Sequence, residues 1–438
     1  MRICLPKQVN TILHILHTAG YEAYAVGGCV RDSLLGKEPD DWDITTSARP
    51  FQVKELFRHT VDTGIRHGTV TVLFQGEGFE VTTYRIDGVY EDARHPSEVT
   101  FTADLKEDLR RRDFTINAMA YNETEGLVDA FGGIQDLKEG VIRCVGDAEE
   151  RFGEDALRMM RAVRFSAQLG FTIETRTQEA VRRLAPNLCQ VSAERIRTEL
   201  VKLLLSPHPD MLRVAWENGI TAQILPEFDR AMKMPQNHPH HKYSVGEHIL
   251  HSLTAIEPDR ILRLVMLFHD LGKPLCRTVD AGGIDHFKGH GEIGREIAGE
   301  VLTRLKFDNA TKDKVAKLVQ YHDYSIPETY KGVRKAASRI GPELFLLLFP
   351  IKRADMAAQS GYMQAEKLRA LEHVEEMYRE ILAATQCLTL KDLAVSGKDL
   401  IGAGMKPGRE MGETLERLLA LVLENPECNT KEYLLTQI

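Results

Sequence analysis

The sequence has no apolar run approaching the ~18 residues that a membrane-spanning helix needs. Its start, Met1-Arg2-Ile3-Cys4-Leu5-Pro6, has no long apolar stretch to act as a signal peptide. Its seven cysteines are scattered, odd in number and contain no Cys-x-x-Cys pair. That argues against a disulfide frame or a zinc–thiolate centre and fits reduced thiols in a cytoplasm. An excess of positive charge is also missing: 56 Lys and Arg stand against 64 Asp and Glu, a net charge of −8. This argues against a generic polybasic nucleic-acid coat but not against a local basic groove, since recognition depends on patches. There is no internal repeat and no low-complexity tract. What is present is an ordinary globular composition, 43% hydrophobic and 27% charged over 438 residues. At ~150 residues per domain, two to four domains are expected.

Hydrophobic periodicity divides the chain. Residues 1–145 read as α/β, with an amphipathic helix over Pro6–Ala19 and strands at Tyr24–Val26, Asp41–Thr45, Thr69–Phe74, Phe79–Arg85 and Val141–Val145. Residues 87–99 are polar and read as a mobile loop. From about residue 149 the periodicity is helical to the end. Asn237-His238-Pro239-His240-His241 marks a junction, Pro350 interrupts an apolar run, and 388–438 carries Gly and Pro punctuation around two helical stretches.

Gly27-Gly28 sits between a strand and a helix opening near Val30. A glycine pair lets backbone approach phosphate, and a helix start offers N–H groups, with Arg31 adding charge. Alone, such a pair is more often only a turn. Asp41-Trp42-Asp43 follows. On a strand, residues two apart share a face, ~6.5–7 Å apart. Two carboxylates there repel unless a cation lies between them, and hard oxygen ligands suit Mg²⁺. Glu80, opening another strand, is the candidate third carboxylate. Three such groups can hold two ions for an in-line phosphoryl displacement. By itself Asp-x-Asp is as readily a solvated strand edge.

Taken in order, the motifs resemble a known family. Gly27-Gly28-Cys29-Val30-Arg31-Asp32-Ser33-Leu34-Leu35-Gly36 with Asp41-Trp42-Asp43 resembles the signature of class II tRNA nucleotidyltransferases, in the polymerase β-like superfamily. Arg111-Arg112-Asp113-Phe114-Thr115-Ile116-Asn117-Ala118 resembles the family's ribose- and phosphate-contacting motif. Glu154-Asp155-Ala156-Leu157-Arg158-Met159-Met160-Arg161 resembles its amino-acid template motif, and Ser192-Ala193-Glu194-Arg195-Ile196 a later helix-capping motif. Val61–Val70 resembles the CCA-adding branch rather than the related poly(A) polymerases, which are more basic there. The loop Asp87–Pro96 is full length, whereas it is short in enzymes that add only CC.

The residues support the chemistry independently. Asp155 and Arg158 are three apart on an expected helix and so would share a face. Cytosine and adenine both present an amine beside a ring-nitrogen acceptor, which a carboxylate and a guanidinium can read. Uracil and guanine would turn a carbonyl toward Asp155 and leave a buried charge unpaired, at a cost of several kcal/mol. In isolation the pair is more often only a surface ion pair. Arg161 and Arg164 continue the face and, as in the family, are placed for the triphosphate. Arg112 is the candidate for the incoming phosphates, and Asp113 for the ribose 2′-OH.

A second constellation lies downstream. His269-Asp270 ends an apolar helix, with His248 before it and His290, His322 and Asp355 after it. Single ligands on successive helices fit a metal site inside a bundle, and imidazole with carboxylate suits Fe, Mn, Ni, Co or Zn. The spacing resembles the HD phosphohydrolase superfamily. There His248, His269, Asp270 and Asp355 match the core ligands, and His290 and His322 the extra histidines of binuclear members. The resemblance implies hydrolysis of a phosphate on an RNA end, with Lys273 facing the phosphate. His238, His240 and His241 read mostly as linker, with His241 a candidate outer-shell group.

The expectation is an α+β protein. It has a polymerase β-like head (1–145), a helical neck that binds RNA and selects the base (146–235), an HD domain (236–360) and a helical tRNA-binding tail (361–438). The implied activity is template-independent addition of C, C and A to tRNA from CTP and ATP with Mg²⁺, in the cytoplasm and without a membrane. The arginines of 143–202 and the tail around Gly408 would contact the acceptor stem and elbow through shape and phosphates. The rival readings are A-only addition, an RNA-end phosphohydrolase using its head to hold tRNA, and a tRNA-binding chaperone with vestigial sites. A homodimer through the helical half is left open.

Overall fold

The computed structural model describes residues 2–88 and 99–438. They fall into two compact units, residues 1–224 and 225–438. The expected loop at 87–96 lies, from residue 89 onward, outside the described residues.

The first unit is built on a seven-stranded sheet. Its strands are β1 (Ala23–Val26), β2 (Ile44–Thr46), β3 (Thr60–Gly64), β4 (Thr69–Phe74) and β5 (Glu77–Thr83). A small hairpin of β6 (Arg85–Asp87) and β7 (Val99–Phe101) stands apart, and β8 (Met119–Asn122) and β9 (Gly126–Asp129) complete the sheet. The order is β3-β4-β5-β2-β1-β8-β9, with β2 and β5 parallel and the other pairs antiparallel. Every residue of β1 is buried because the strand is covered on both faces. Ala23 and Ala25 face one way, into a core with Ile44, Val70, Val72 and Val81. Tyr24 and Val26 face the other way, against Tyr84, Leu109 and Ala120. The helix Lys7–Thr18 closes the first core by burying Val9, Ile12, Leu13 and Leu16, one stripe at helical spacing. Each such side chain contributes roughly 1.5–3 kcal/mol on burial.

Four boundaries differ from the sequence expectation. The strand expected from Asp41 begins only at Ile44, although the Asp43 carbonyl still accepts from Val26 N–H at 3.0 Å. The strand expected over 79–85 ends at Thr83, and Arg85 belongs to the separate hairpin. The strand expected over 141–145 is only Val141–Ile142. The helix expected to carry both Asp155 and Arg158 is broken at Asp155, with φ −144° and ψ 102°. Its carboxylate accepts from Leu157 N–H at 3.1 Å. An aspartate at a helix start competes in this way with continued helix. The strands β3, β8 and β9 were not anticipated: β3 is short and nearly free of apolar alternation.

The second unit is helical apart from one two-residue-per-strand hairpin, Thr278–Val279 with Asp285–His286, among the described residues. The helices Val245–Thr254, Arg260–Phe268, His290–Arg304, Asn309–Tyr321 and Pro342–Ala358 pack around one another. The last runs through Pro350 rather than ending there. Beyond Thr389 there are three α-helices instead of two stretches. Leu393, Leu400, Leu418, Val422 and Leu434 give that tail its own small core. No described helix is long and apolar enough to cross a membrane.

Candidate active sites

The first site lies where β1 ends and β2 begins. Gly27 takes φ +84°, and a Cβ there would stand 3.0 Å from Arg112 Nη1. Glycine thus admits the arginine against the turn. Asp41 and Asp43 sit on the segment entering β2. In the parallel pairing Ile44 lies opposite Val81, so Asp43 comes beside Glu80. Loss of solvent raises the Asp43 carboxyl pKa, the Arg112 charge lowers it and Asp41 raises it again; the net shift is upward. Glu80 is likewise raised, by loss of solvent and then by Asp43 and Asp41. Three mutually repelling carboxylates form a site suited to a divalent cation.

Next to them is a pocket of about 450 Å³. Gly27, Gly28, Arg31, Asp43, Arg112, Asp113, Asp155, Arg158, Arg161 and Arg164 all line it. Its arginines are held in place by one another's partners. Arg31 donates to Asp32 at 2.8 and 2.9 Å and to Asn117 at 2.6 Å. Asp113 accepts from Arg161 at 2.7 Å and from Asn117 at 3.2 Å. Burial alone would push the Asp113 carboxyl up, but Arg161 and these hydrogen bonds outweigh it and hold the pKa at about 2. Arg164 donates to Glu199 at 2.5 Å and to Gln168 at 2.7 Å. Phe165 lies under the guanidinium carbons of Arg31, Arg161 and Arg164, at 5.0, 5.3 and 3.8 Å. Arg112 reaches Asp108 at 3.6 Å, and its buried Nε has no protein partner.

Asp155 and Arg158 share this pocket but do not pair with each other. Asp155 accepts both arms of Arg195, at 2.6 and 3.2 Å. Arg158 donates to Glu154 at 2.5 Å and to the carbonyls of Arg111 and Arg151 at 2.9 and 3.1 Å. The two groups therefore converge across a helix break, not along one helical face.

The second site is a buried cluster within the second unit. His248, His269, Asp270, His290, His322 and Asp355 all reach it, from five helices or their ends. Around Asp270 stand His269 Nε2 at 3.4 Å, His248 Nε2 and His290 Nε2 at 3.5 Å, and His322 Nε2 at 3.8 Å. Asp355 lies 2.8 Å from His248 Nε2 and 3.8 Å from His269 Nε2. The other ring nitrogen of each histidine faces a backbone carbonyl. Those of His269, His290 and His322 do so at 2.8, 2.8 and 2.7 Å, and that of His248 at 3.4 Å. This fixes Nδ1 as the protonated nitrogen and turns each Nε2 lone pair inward. Asp270 can group with His248 and His269 on one side and with His290 and His322 on the other. His269 Nε2 is buried without a hydrogen-bond partner, and Asp270 Oδ2 faces the Lys273 ammonium. Burial and the neighbouring His269 and His290 push His322 down to about 4, leaving it a neutral donor at pH 7. Burial raises Asp270, but Lys273, 2.7 Å away, and His269 more than offset it and hold the carboxyl well below the usual range. The donor set fits one or two transition-metal ions. Gly272 permits the packing: a Cβ there would fall 2.2 Å from the His290 carbonyl.

Comparison with known proteins agrees with both the fold and the order of motifs. Residues 23–143 match the poly A polymerase head domain. Residues 170–232 match the "Probable RNA and SrmB- binding site of polymerase A", and 291–438 a tRNA nucleotidyltransferase domain 2. A CCA-adding enzyme of Leuconostoc mesenteroides is 60% identical over 430 residues, covering 94% of this chain and 92% of that one. The enzyme of Lactiplantibacillus plantarum is 37% identical over 98% of this chain and 95% of its own. The chain belongs to the CCA-adding enzyme family. The structure of the Bacillus stearothermophilus CCA-adding enzyme in complex with CTP superposes with a TM-score of 0.74. It is 32% identical, with 98% of this chain and 96% of that one covered.

Within this CCA-adding enzyme fold, the candidate catalytic, nucleotide-binding and metal-binding residues read from the sequence lie in or beside one of the two sites, whereas Arg143, Arg176, Arg183 and Gly408 lie at neither. Several residues that complete the sites were not singled out for these positions. Asp108, fully buried between Thr45 and Arg111, could have been read from its i,i+3 and i,i+4 spacing to Arg111 and Arg112. Glu199 carries no local signal, because its partner Arg164 is far away in sequence. Asn117 and Phe165 stand at i,i+4 from Asp113 and Arg161, and their contacts with Arg31 are long-range. Gln359, which donates to Asp355 at 2.9 Å, could likewise have been read from its i,i+4 spacing.

Proposed function

We propose that the protein builds the 3′-terminal CCA of tRNA without a nucleic-acid template, taking C, C and A from CTP and ATP and releasing pyrophosphate. The observation that carries this reading is the convergence of Asp155 and Arg158 on one arginine-lined pocket beside Asp43. Asp41, Asp43 and Glu80 would hold Mg²⁺, which when bound helps deprotonate the RNA 3′-OH and neutralises the departing pyrophosphate. Arg31, Arg112, Arg161 and Arg164 receive the triphosphate, with Gly27 and Gly28 leaving room for it. Asp113, oriented by Asn117 and Arg161, accepts from the ribose 2′-OH. Asp155 accepts the exocyclic amine of C or A, and Arg158 donates to the adjoining ring acceptor. A carbonyl in the amine's place leaves Asp155 facing an acceptor, so U and G are refused. The reading assigns 1–145 to the head, 146–235 to the neck, 236–360 to the HD domain and 361–438 to the tRNA-binding tail. Seven free cysteines accord with a cytoplasmic setting.

The histidine–aspartate cluster supports a second activity, hydrolysis of a 3′-phosphate or 2′,3′-cyclic phosphate on an RNA end. His248, His269, Asp270 and Asp355, with His290 and His322, would hold the metal, which when bound activates water toward phosphorus. Lys273 adds charge beside Asp270 for the phosphate.

The test uses tRNA transcripts ending at the discriminator base, after C and after CC. Each is incubated with Mg²⁺ and labelled CTP, ATP, UTP or GTP and read at nucleotide resolution. All three should converge on CCA with no U or G. Extension of the CC-ending transcript alone would make the protein an A-adding specialist.

A further inference from the structure

A single aromatic ring in the first site stands against three arginines. Phe165 lines the pocket of about 450 Å³ together with Arg31, Arg161 and Arg164. Their guanidinium carbons lie over its ring, 5.0, 5.3 and 3.8 Å from the centroid in that order. Arg161, Arg164 and Phe165 belong to the helix Leu157–Leu169, and Arg31 comes from the helix Gly28–Leu34. Arg161 and Phe165 are four apart and share a helical face. Arg31, Arg164 and Phe165 are all buried. The ring is held in turn by Phe114, edge to face, at 5.8 Å and 82°.

Three positive groups gathered on one ring repel one another, and burial leaves little water to screen them. Acidic partners relieve part of this. Asp32 accepts from Arg31, Asp113 from Arg161 and Glu199 from Arg164. A further carboxylate would add relief, but it would occupy N–H donors and bring negative charge toward an anionic ligand. An aromatic ring acts differently. Its negative face attracts a guanidinium without taking an in-plane N–H and without adding net charge. The donors that the acids leave over then stay available for phosphate oxygens.

We propose that Phe165 is a positioning residue for nucleotide addition: its ring gathers Arg31, Arg161 and Arg164 into one receptor for the triphosphate. The inference rests on the reading that this pocket receives the triphosphate of CTP and ATP, and it adds the group that assembles the receptor. The ring serves the part that both nucleotides share. The base is left to Asp155 and Arg158, which are held by Arg195 and Glu154 instead. Loss of the ring should therefore weaken CTP and ATP alike and leave the refusal of U and G untouched.

The experiment uses the full chain with Mg²⁺, in which Phe165 is replaced by phenylalanines of increasing ring fluorination. These keep the shape of the ring while draining its negative face. Transcripts ending at the discriminator base give KM and kcat for CTP, and transcripts ending in CC give them for ATP. KM should climb stepwise with fluorination for both nucleotides, while kcat stays within about twofold. Phe165→Leu, which removes the ring, should raise both KM values by roughly 5- to 30-fold. Inhibition by tripolyphosphate, which carries no base, should weaken in parallel, and use of UTP and GTP relative to CTP and ATP should stay at the wild-type ratio. A KM that is flat across the fluorinated rings, a rise for one nucleotide only, or a shifted base ratio overturns the role of the ring. The fluorinated series decides this even if Phe165→Leu fails to fold, because packing responds to shape and not to ring charge. The wild type tests the underlying reading. If tripolyphosphate does not compete with CTP, the pocket is not the triphosphate receptor and both readings fall. Competition in the wild type with a flat series removes the role of the ring alone.

Discussion

Asp155 shows how a single carboxylate can be committed twice. It caps the helix after it and is gripped by Arg195 at the same time. Replacing it by Ala removes a charge-assisted contact worth about 1.5–3 kcal/mol. The expected result is a fall of roughly 10- to 150-fold in kcat/KM for CTP and ATP, with relatively greater use of UTP; primer extension with each nucleotide separately measures it. Arg195→Ala should move the same ratio without touching the phosphates, because its observed partner is Asp155. Asp113 provides a test in acid. Its folded pKa, about 2, lies below the ordinary aspartate value of about 3.9. The stabilisation is therefore complete above that ordinary value and lost as pH falls through the folded one. Urea midpoints measured between pH 5 and pH 3 should fall more steeply for the wild type than for Asp113→Asn. Asp43 has the opposite sign. Its raised pKa means the ionised carboxylate opposes folding at neutral pH when no cation is bound. Asp43→Asn should raise the metal-free Tm, abolish nucleotide addition and remove the Tm increase that Mg²⁺ gives the wild type.

At the scale of elements, what could be read in the sequence followed from local pattern. The helix Lys7–Thr18 and the strands β1 and β4 were legible because apolar spacing alone specifies them. The strand start at Ile44 and the break at Asp155 were not, because tertiary partners decide them: Val26 across the sheet and Arg195 from another helix. The candidate metal-binding and phosphate-binding groups were legible as residue types in order. The neutralising partner of Arg164, Glu199, and the contact of Asn117 with Arg31 were not, since only the fold brings these residues together. Gly272 makes the packing around the histidine cluster testable. A methyl there collides with the His290 carbonyl, and backbone can yield little. Gly272→Ala should lower stability by at least ~2 kcal/mol, in the range of overpacked cores, and weaken Mn²⁺ retention measured by equilibrium dialysis.

At the scale of the molecule, each of the two compact units holds a site complete within itself. The activities should therefore separate by mutation. Asp41→Ala should abolish CTP incorporation and leave metal content at the histidine cluster unchanged. His269→Ala should strip that metal and leave incorporation at the wild-type rate. Parallel assays of nucleotide addition and metal stoichiometry on both variants decide it.

The backbone tethers on His269, His290 and His322 have a practical outcome. Rings already aimed and in the ligating tautomer need no rearrangement to capture an ion, so affinity will follow the Irving–Williams order more than physiological need. Zinc or copper in a growth medium can occupy such a cage ahead of a scarcer native metal. The metal recovered with the purified protein will then record its preparation, and stripping and reloading one ion at a time is the way to learn which one works.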